Sequence, residues 1–226
     1  QWLSRDQIEA LQARKLARLL GIANAHCTWH AERLAGAGLD ELTQSSRISL
    51  DDFRRIPTMD KADAQLHGRE MCWEGVPGGA FPYNTGGSSG QPLRFLFGRW
   101  RQASDAAGRM RARRWWGVEV GEPEVYLWGA PVELSKTDLI KTVRDRLLNQ
   151  LVLNAFEMSQ TNMDAYLDAI ERFNPVCIYG YASSIALLAG RAKQTGRIPK
   201  LACLKVVCTT GEPLLPHQRE LISDVF

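Results

Sequence analysis

The last third of this chain alternates between two hydrophobic periods, and this constrains its fold more than any other feature. Met163, Tyr166, Leu167, Ile170 and Phe173 recur at three and four residues, which places them on one face of a helix. Asn174-Pro175 ends that helix, because a proline disfavours helical backbone in the residue before it. "VCIYG" at 176–180 then reads as a short buried strand, and "SSIALLAGRAKQTG" as a capped helix ending at Gly196. "LKVVCTTGEPL" at 204–214 reads as another strand, running into a Gly-Pro loop, and Pro216 stands near the start of a final helix. Helix and strand in regular alternation argue for a parallel sheet, so the expected fold class is α/β.

The upstream sequence reads differently. Ser4 and Gln7 have the spacing of a capping box, followed by Ile8, Leu11, Leu16, Leu19 and Leu20 on roughly one helical face. A second helix is predicted over about Ala23 to Leu34, ended by "GAG" at 36–38. "SLDDFRRIPTMDK" at 49–61 is a short capped turn of helix broken by Pro57. From Gly78 the pattern changes. "AFPYN" leads into a loop at 85–92, after which Leu93, Phe95 and Phe97 alternate as a half-buried strand, so the loop joins strand to strand. An Arg-rich helix from about Arg99 to Arg114 and a strand at 124–129, "EVYLWG", complete the pass. The expected organisation is a helical N-terminal segment, residues 1–78, and an incomplete α/β subdomain, residues 79–226.

Composition narrows the function classes. With 226 residues, 45% of them hydrophobic, the chain is long enough to bury a core in one or two domains. A net charge of +3 makes no global case for nucleic acid or an anionic membrane surface. The five cysteines are odd in number and none has CxxC spacing, so neither a disulfide framework nor a zinc ribbon is expected. Reduced thiols in a cytoplasmic protein are the expectation. No apolar run is long enough to span a bilayer. The chain starts at Gln1 and stops within the apolar-periodic "RELISDVF", so it is expected to be a piece of a longer polypeptide, with a C-terminal remainder as its partner.

Three short stretches invite chemistry. In "TGGSSGQP", Gly86, Gly87 and Gly90 allow backbone N–H groups to turn toward an anion, and Thr85, Ser88 and Ser89 add hydroxyl donors. The stretch lacks the spacing of GxxxxGK[ST] and of GxGxxG, and an ornamental hairpin loop fits it as well as a phosphate loop does. "RMRARRWW" at 109–116 mixes cations with aromatics, as single-strand binders do. Its Arg spacing of two spans no single helical face, and Glu119, Glu122 and Glu124 follow, so a solvated helix end is the preferred reading. His26 and His30, one turn apart, lack the glutamate of HExxH and a third ligand, so no metal site is expected. "GYASS" lacks the spacing of a hydrolase nucleophile elbow.

Four stretches taken in order resemble one family. "TGGSSGQP" is similar to the phosphate loop of the adenylate-forming superfamily of acyl-CoA synthetases. "SLDDFRRIPTMDK", "FNPVCIYGYASSIALLA" and "VVCTTGEPLLPHQRELI" resemble segments of its phenylacetate-CoA ligase-like family, including the capsule-biosynthesis-type branch. The resemblance covers about residues 2–226 and implies that the α/β part belongs to a large adenylate-forming domain. It also implies a reaction in which a carboxylate attacks the α-phosphate of ATP, used with Mg2+, before a thiol, usually coenzyme A, takes the acyl group. By the same resemblance Thr85, Gly86, Gly87, Ser88, Ser89, Gly90 and Gln91 hold the β- and γ-phosphates. Tyr179, Gly180, Tyr181, Ala182 and Ser183, with Ser184, border the acyl pocket, and Gly211, Glu212 and Pro213 lie against the adenosine. Gln91 stands where the family carries Lys, which removes a cation near the outgoing pyrophosphate. The family's Tyr-Gly-x-x-Glu motif, ribose-binding Asp and C-terminal Lys would fall after Phe226, so this chain is expected to lack catalytic residues of its own and to be inactive alone. A non-catalytic nucleotide- or acyl-binding module of the same fold is the alternative.

Overall fold

The computed structural model describes residues 3–44, 48–84, 93–129 and 145–226. The chain divides into two compact units, Gln1–Ala106 and Ala107–Phe226. The first unit opens with helix α1 (Arg5–His26), whose capping box is formed as expected. Ser4 Oγ accepts from the Gln7 N–H at 3.3 Å, and Gln7 Oε1 accepts from the Ser4 N–H at 2.9 Å. Helix α2 (Thr28–Gly36) follows after a single extended residue, Cys27, so the helix break lies four residues later than the expected start at Ala23. Nothing between Leu20 and His26 forces an end, and helix continues until Cys27 takes extended backbone. Helices α3 (Asp40–Gln44), α4 (Leu50–Phe53) and α5 (Lys61–Leu66) are short. Ser49 caps α4 through a box with Asp52, as the "SLDD" pattern implies. Asn24 donates to Thr43 Oγ1 at 2.9 Å, tying α1 to α3 around buried Ala17, Leu34 and Leu39.

Strands β1 (Ala80–Asn84) and β2 (Arg94–Gly98) form an antiparallel hairpin in the first unit, in a register running from Ala80 opposite Gly98 to Asn84 opposite Arg94. Cross-strand aromatic pairs fix that register: Phe81 meets Phe97 at 6.1 Å and Tyr83 meets Phe95 at 5.3 Å between ring centres. The expected strand–loop–strand order is thus present. The loop itself, residues 85–92, lies outside the described residues. Helix α6 (Arg99–Arg114) has the limits its sequence suggested, and the division between units falls within it.

The second unit is a four-stranded parallel sheet in the order β4-β3-β5-β6, made of β3 (Glu124–Trp128), β4 (Gln150–Asn154), β5 (Cys177–Tyr181) and β6 (Val206–Thr210). Helices α7 (Gln160–Phe173), α8 (Ala182–Thr195) and α9 (Pro216–Val225) supply the rest of its core. The α/β class and the parallel sheet are as expected. Strand β4 was not: "QLVLN" holds only three apolar residues in a row, too few for a period to separate strand from buried helix.

Alternation across the strands sorts the side chains. Val125, Leu127, Leu153 and Ile178 pack with Met163, Leu167 and Ile170 of α7 and with Ile185, Leu188 and Ala189 of α8. Ile222 and Val225 of α9 close the same core. Helix ends follow the residues that signalled them. Asn174 takes left-handed backbone (φ 47°) before Pro175, and Pro216 occupies the first turn of α9. Asp164 receives a forked pair of bonds from Arg191 (2.9 and 2.7 Å), which joins α7 to α8.

Gly180 marks a close approach of two strands. It pairs with Leu127 across the two central strands, and a Cβ there would lie 2.4 Å from the Leu127 carbonyl oxygen. The obstacle is backbone, so relief requires the strands to separate. Gly180→Ala is expected to cost roughly 1–3 kcal/mol, the usual range for overpacking. Thermal unfolding would show this as a lowered midpoint, and an unchanged midpoint would contradict the close approach.

Candidate functional site

In a parallel sheet every strand leaves at the same edge, so the segments after β3, β4, β5 and β6 gather at one end of the second unit. Five of the sequence's candidate residues meet there, with two aromatics that sequence reasoning missed. The Trp128 ring, at the end of β3, stacks on Tyr181 at 4.7 Å and 13°, and lies 5.8 Å from Tyr179. Phe156, just after β4, approaches the other side of the group at 6.3 Å from Tyr181. Trp128 is 36% exposed and Phe156 73%, so the slab has open aromatic surface. Trp128 was legible in principle: it ends a strand of a parallel sheet, at the edge where ligands bind. Phe156 carried no signal of its own, because β4 was not anticipated.

The loop after β6 is fastened to this slab. Gly211 has φ +79°, a backbone conformation that L side chains rarely adopt, and its α-carbon lies against the Tyr181 ring. A Cβ at Gly211 would stand 2.8 Å from Tyr181 Cε1. The next residue reaches in the other direction. Glu212 Oε1 accepts the backbone N–H of Ser183 in the first turn of α8, whose own N-cap residue, Tyr181, provides no side-chain bond. A carboxylate at a helix N-terminus satisfies an orphan donor and faces the positive end of the helix dipole. The Ser183 hydroxyl first, and its N–H second, hold the Glu212 carboxyl below its usual value of 4.5.

The structure brings together Tyr179, Tyr181, Ser183, Gly211 and Glu212 and distributes the other candidates differently. Ala182 is 0% exposed and Gly180 is buried in the sheet, so neither offers a side chain to an open surface. Pro213 is exposed in the loop. Thr85, Gly86, Gly87, Ser88, Ser89, Gly90 and Gln91 lie outside the described residues, although Asn84 and Leu93, on either side of them, are described.

The Arg-Trp stretch differs from its reading as a solvated helix end. Arg113 is 7% exposed, and its Nε donates to Glu124 Oε2 at 2.9 Å. Its guanidinium lies 5.2 Å from the Tyr126 ring and 5.1 Å from Tyr179, a cation held by two aromatic faces. Burial raises the Glu124 carboxyl despite its partner, whereas Tyr126 and Glu124 together outweigh burial and keep the Arg113 charge favoured. Periodicity could not find this pair, because the alternating arginines point to opposite sides of the helix and give no single face to read. Arg114 behaves as expected, pairing with Glu119 at 2.8 Å in solvent. His26 stacks on Trp73 at 3.9 Å, and His30 Nδ1 is 3.3 Å from an Arg33 nitrogen. Among the described residues no three His, Cys, Asp or Glu side chains form a group that could hold a metal ion. None of the described helices is long and apolar enough to cross a membrane.

No protein-family model and no curated protein matches the chain. Among solved structures it is similar to 2-hydroxyisobutyryl-CoA ligase in complex with 2-HIB-AMP and CoA in the thioesterification state. That match has a TM-score of 0.70 at 21% identity and covers 99% of this chain and 48% of the other. An open conformation of the same ligase, also with 2-HIB-AMP and CoA, matches with a TM-score of 0.68 at 20% identity, covering 99% and 52%. Its postadenylation state with 2-HIB-AMP matches at 0.67 and 20%, covering 98% and 48%. The chain spans about half the length of these structures and has their fold over that half.

The Glu212 contact yields a pH-dependent expectation. A carboxyl held below its usual value stabilises the fold above the ordinary carboxylate range and loses that contribution as pH falls through it. Glu212→Gln should cost about 0.3–1 kcal/mol near pH 7, the range for an exposed charge at a helix end. The difference from wild type should close as pH falls below 4.5, the glutamate's usual value. Denaturant unfolding of both chains at several pH values checks this; a gap that stays constant with pH would show that charge is not what Glu212 contributes.

Proposed function

We propose that this chain is the N-terminal part of an ATP-dependent, carboxylate-activating ligase of the phenylacetate-CoA ligase-like kind. The observation that carries the reading is the fastening of the Gly211–Glu212 loop to Tyr181 and to the start of α8, at the ligand edge of a sheet with an acyl-CoA ligase fold. Two candidate stretches, identified separately in sequence, form one continuous surface there.

In the proposed reaction a carboxylate oxygen attacks the α-phosphorus of ATP, supplied as its Mg2+ complex, and pyrophosphate leaves. A thiol, in the simplest case that of coenzyme A, then attacks the acyl carbon and AMP leaves. Such transfers rest on positioning and charge neutralisation, and the roles assigned to this chain are of that kind. Amides of Gly86, Gly87 and Gly90 and hydroxyls of Thr85, Ser88 and Ser89 would hold the β- and γ-phosphates. Gln91 would donate hydrogen bonds there without adding charge. Tyr179, Tyr181 and Ser183 would border the acyl group, with Trp128 as further aromatic wall. Gly211 and Pro213 would pass close to the adenosine, while Glu212 holds the loop by its bond to α8. No residue of this chain is assigned a covalent or proton-transfer step. Gln91 in place of Lys favours a second reading, a nucleotide- or acyl-binding module without turnover.

Exchange of labelled pyrophosphate into ATP separates the two. A polypeptide comprising this chain and the sequence after Phe226 should catalyse exchange dependent on one class within a panel of aromatic and aliphatic acids. Ser88→Ala or Ser89→Ala should each lower it about ten- to a hundredfold, corresponding to roughly 1.5–3 kcal/mol for a bond to a charged group. Gly87→Val should nearly abolish it with the melting temperature unchanged. ATP binding without exchange under any acid would favour the module, and no binding of ATP would remove the ligase and the nucleotide-binding form of the module.

A further inference from the structure

The face of the sheet that carries Arg113 also carries two cysteines that the proposed reaction does not use. Cys177 on β5 pairs with Val206 on β6, and Tyr179 pairs with Cys208. Paired residues of parallel strands share a face, and side chains two apart share it again, so Cys177 and Cys208 are diagonal neighbours on one surface. Both belong to a small cluster with Val118, Val176, Tyr179 and Val206. Cys177 is fully buried, whereas Cys208 is partly exposed, and both are free thiols. The charges facing them come from α6 and β3: the Arg113 guanidinium, packed on Tyr179, and its partner Glu124.

We infer that Cys208 and Cys177 form a thiol pair that reacts reversibly with small disulfides of the glutathione class. Two observations with separate origins support this. The register sets the thiols as diagonal neighbours on one face, and of the two only Cys208 is reachable from solvent. The surroundings also divide their roles. Hydrogen bonding with the neighbouring Cys177 thiol first, and the Arg113 charge after it, bring the Cys208 thiol down to about 7, against the effect of burial and of Glu124. The same bond, with burial, pushes the Cys177 thiol up. The accessible sulfur is therefore the one ionised near neutral pH, as an attacking thiol must be.

The exchange balances in two steps. Cys208 thiolate attacks one sulfur of the disulfide, giving a mixed disulfide on Cys208 and releasing one small thiolate. Cys177 then loses its proton and attacks Cys208 Sγ, forming the Cys177–Cys208 bond and releasing the second small thiol. The protein dithiol is oxidised, the small disulfide is reduced, and dithiothreitol reverses both steps. Within the second unit Cys203, exposed, bonds to Asn174 and lies outside the β5–β6 register that brings Cys177 to Cys208.

The test is non-reducing peptide mapping of the full chain after incubation with oxidised glutathione at neutral pH. A linked peptide containing Cys177 and Cys208, lost on adding dithiothreitol, is the expected result. In Cys177→Ala the glutathione adduct should remain on Cys208, and in Cys208→Ser Cys177 should stay unmodified, with folding of each variant checked by its melting curve. Because the wild-type map needs no variant, the outcome does not depend on either substitution being tolerated. An adduct that persists on Cys208 of the wild-type chain overturns the pair, since Cys177 then does not resolve it. Modification of exposed Cys203 with Cys208 untouched overturns the reactivity of Cys208 itself.

Discussion

The backbone ladder between β3 and β5 is the contact on which the rest of the second unit depends. These two strands are the centre of the sheet, with β4 on one side and β6 on the other, and all run in the same direction. Parallel pairing needs a long crossover after each strand, so the helices must lie between strands in sequence. Every exit then falls on one edge. At Gly180 a Cβ would lie 2.4 Å from the Leu127 carbonyl oxygen, so this point of the ladder accepts a hydrogen and nothing larger without a shift.

From the ladder outward, the two faces of the sheet take on different work. The helix-facing side chains are aliphatic and fully buried, and they contribute stability through removal of apolar surface from water. The opposite face is aromatic and polar, with Arg113 and Glu124 set among Tyr126 and Tyr179. A buried ion pair is a weak source of stability, because the desolvation of both groups offsets their attraction. What it does provide is position: the guanidinium fixes where α6 meets the sheet and sets the electrostatic surroundings of Cys208.

At the exit edge, the Gly211–Glu212 loop is held by two unlike contacts, a steric one against an aromatic ring and an electrostatic one to a helix terminus. Each constrains a different residue, and together they leave the loop little freedom. Pre-ordering of this kind lowers the conformational freedom that any binding event at a surface must remove. The fold shared with the solved CoA ligase structures covers the whole chain but only about half of theirs.

Much of the architecture was legible from short-range pattern. The period of Met163 to Phe173, the stop at Asn174-Pro175, the limits of α6, and the caps at Ser4 and Ser49 depend on contacts within a few residues, which is the reach of a sequence pattern. Strand β4 escaped because three apolar residues, Leu151 to Leu153, have no resolvable period. The break between α1 and α2 was misplaced because Cys27 carries no distinctive stop signal. The candidate loops at 179–183 and 211–213 were likewise visible in sequence, by resemblance and by their place after strands. Their meeting was not. Trp128, Tyr181 and Gly211 come from three strands, and only the parallel ladder carries their ends to one edge. Local pattern in the sequence settled most of the helices and strands, β4 and the α1–α2 break apart, and their order of alternation, because those choices depend on near neighbours. Tertiary structure alone decided that one arginine of an Arg-rich helix is buried against Glu124, that Glu212 serves α8, and that Cys177 lies beside Cys208, because each depends on the pairing of strands distant in the chain.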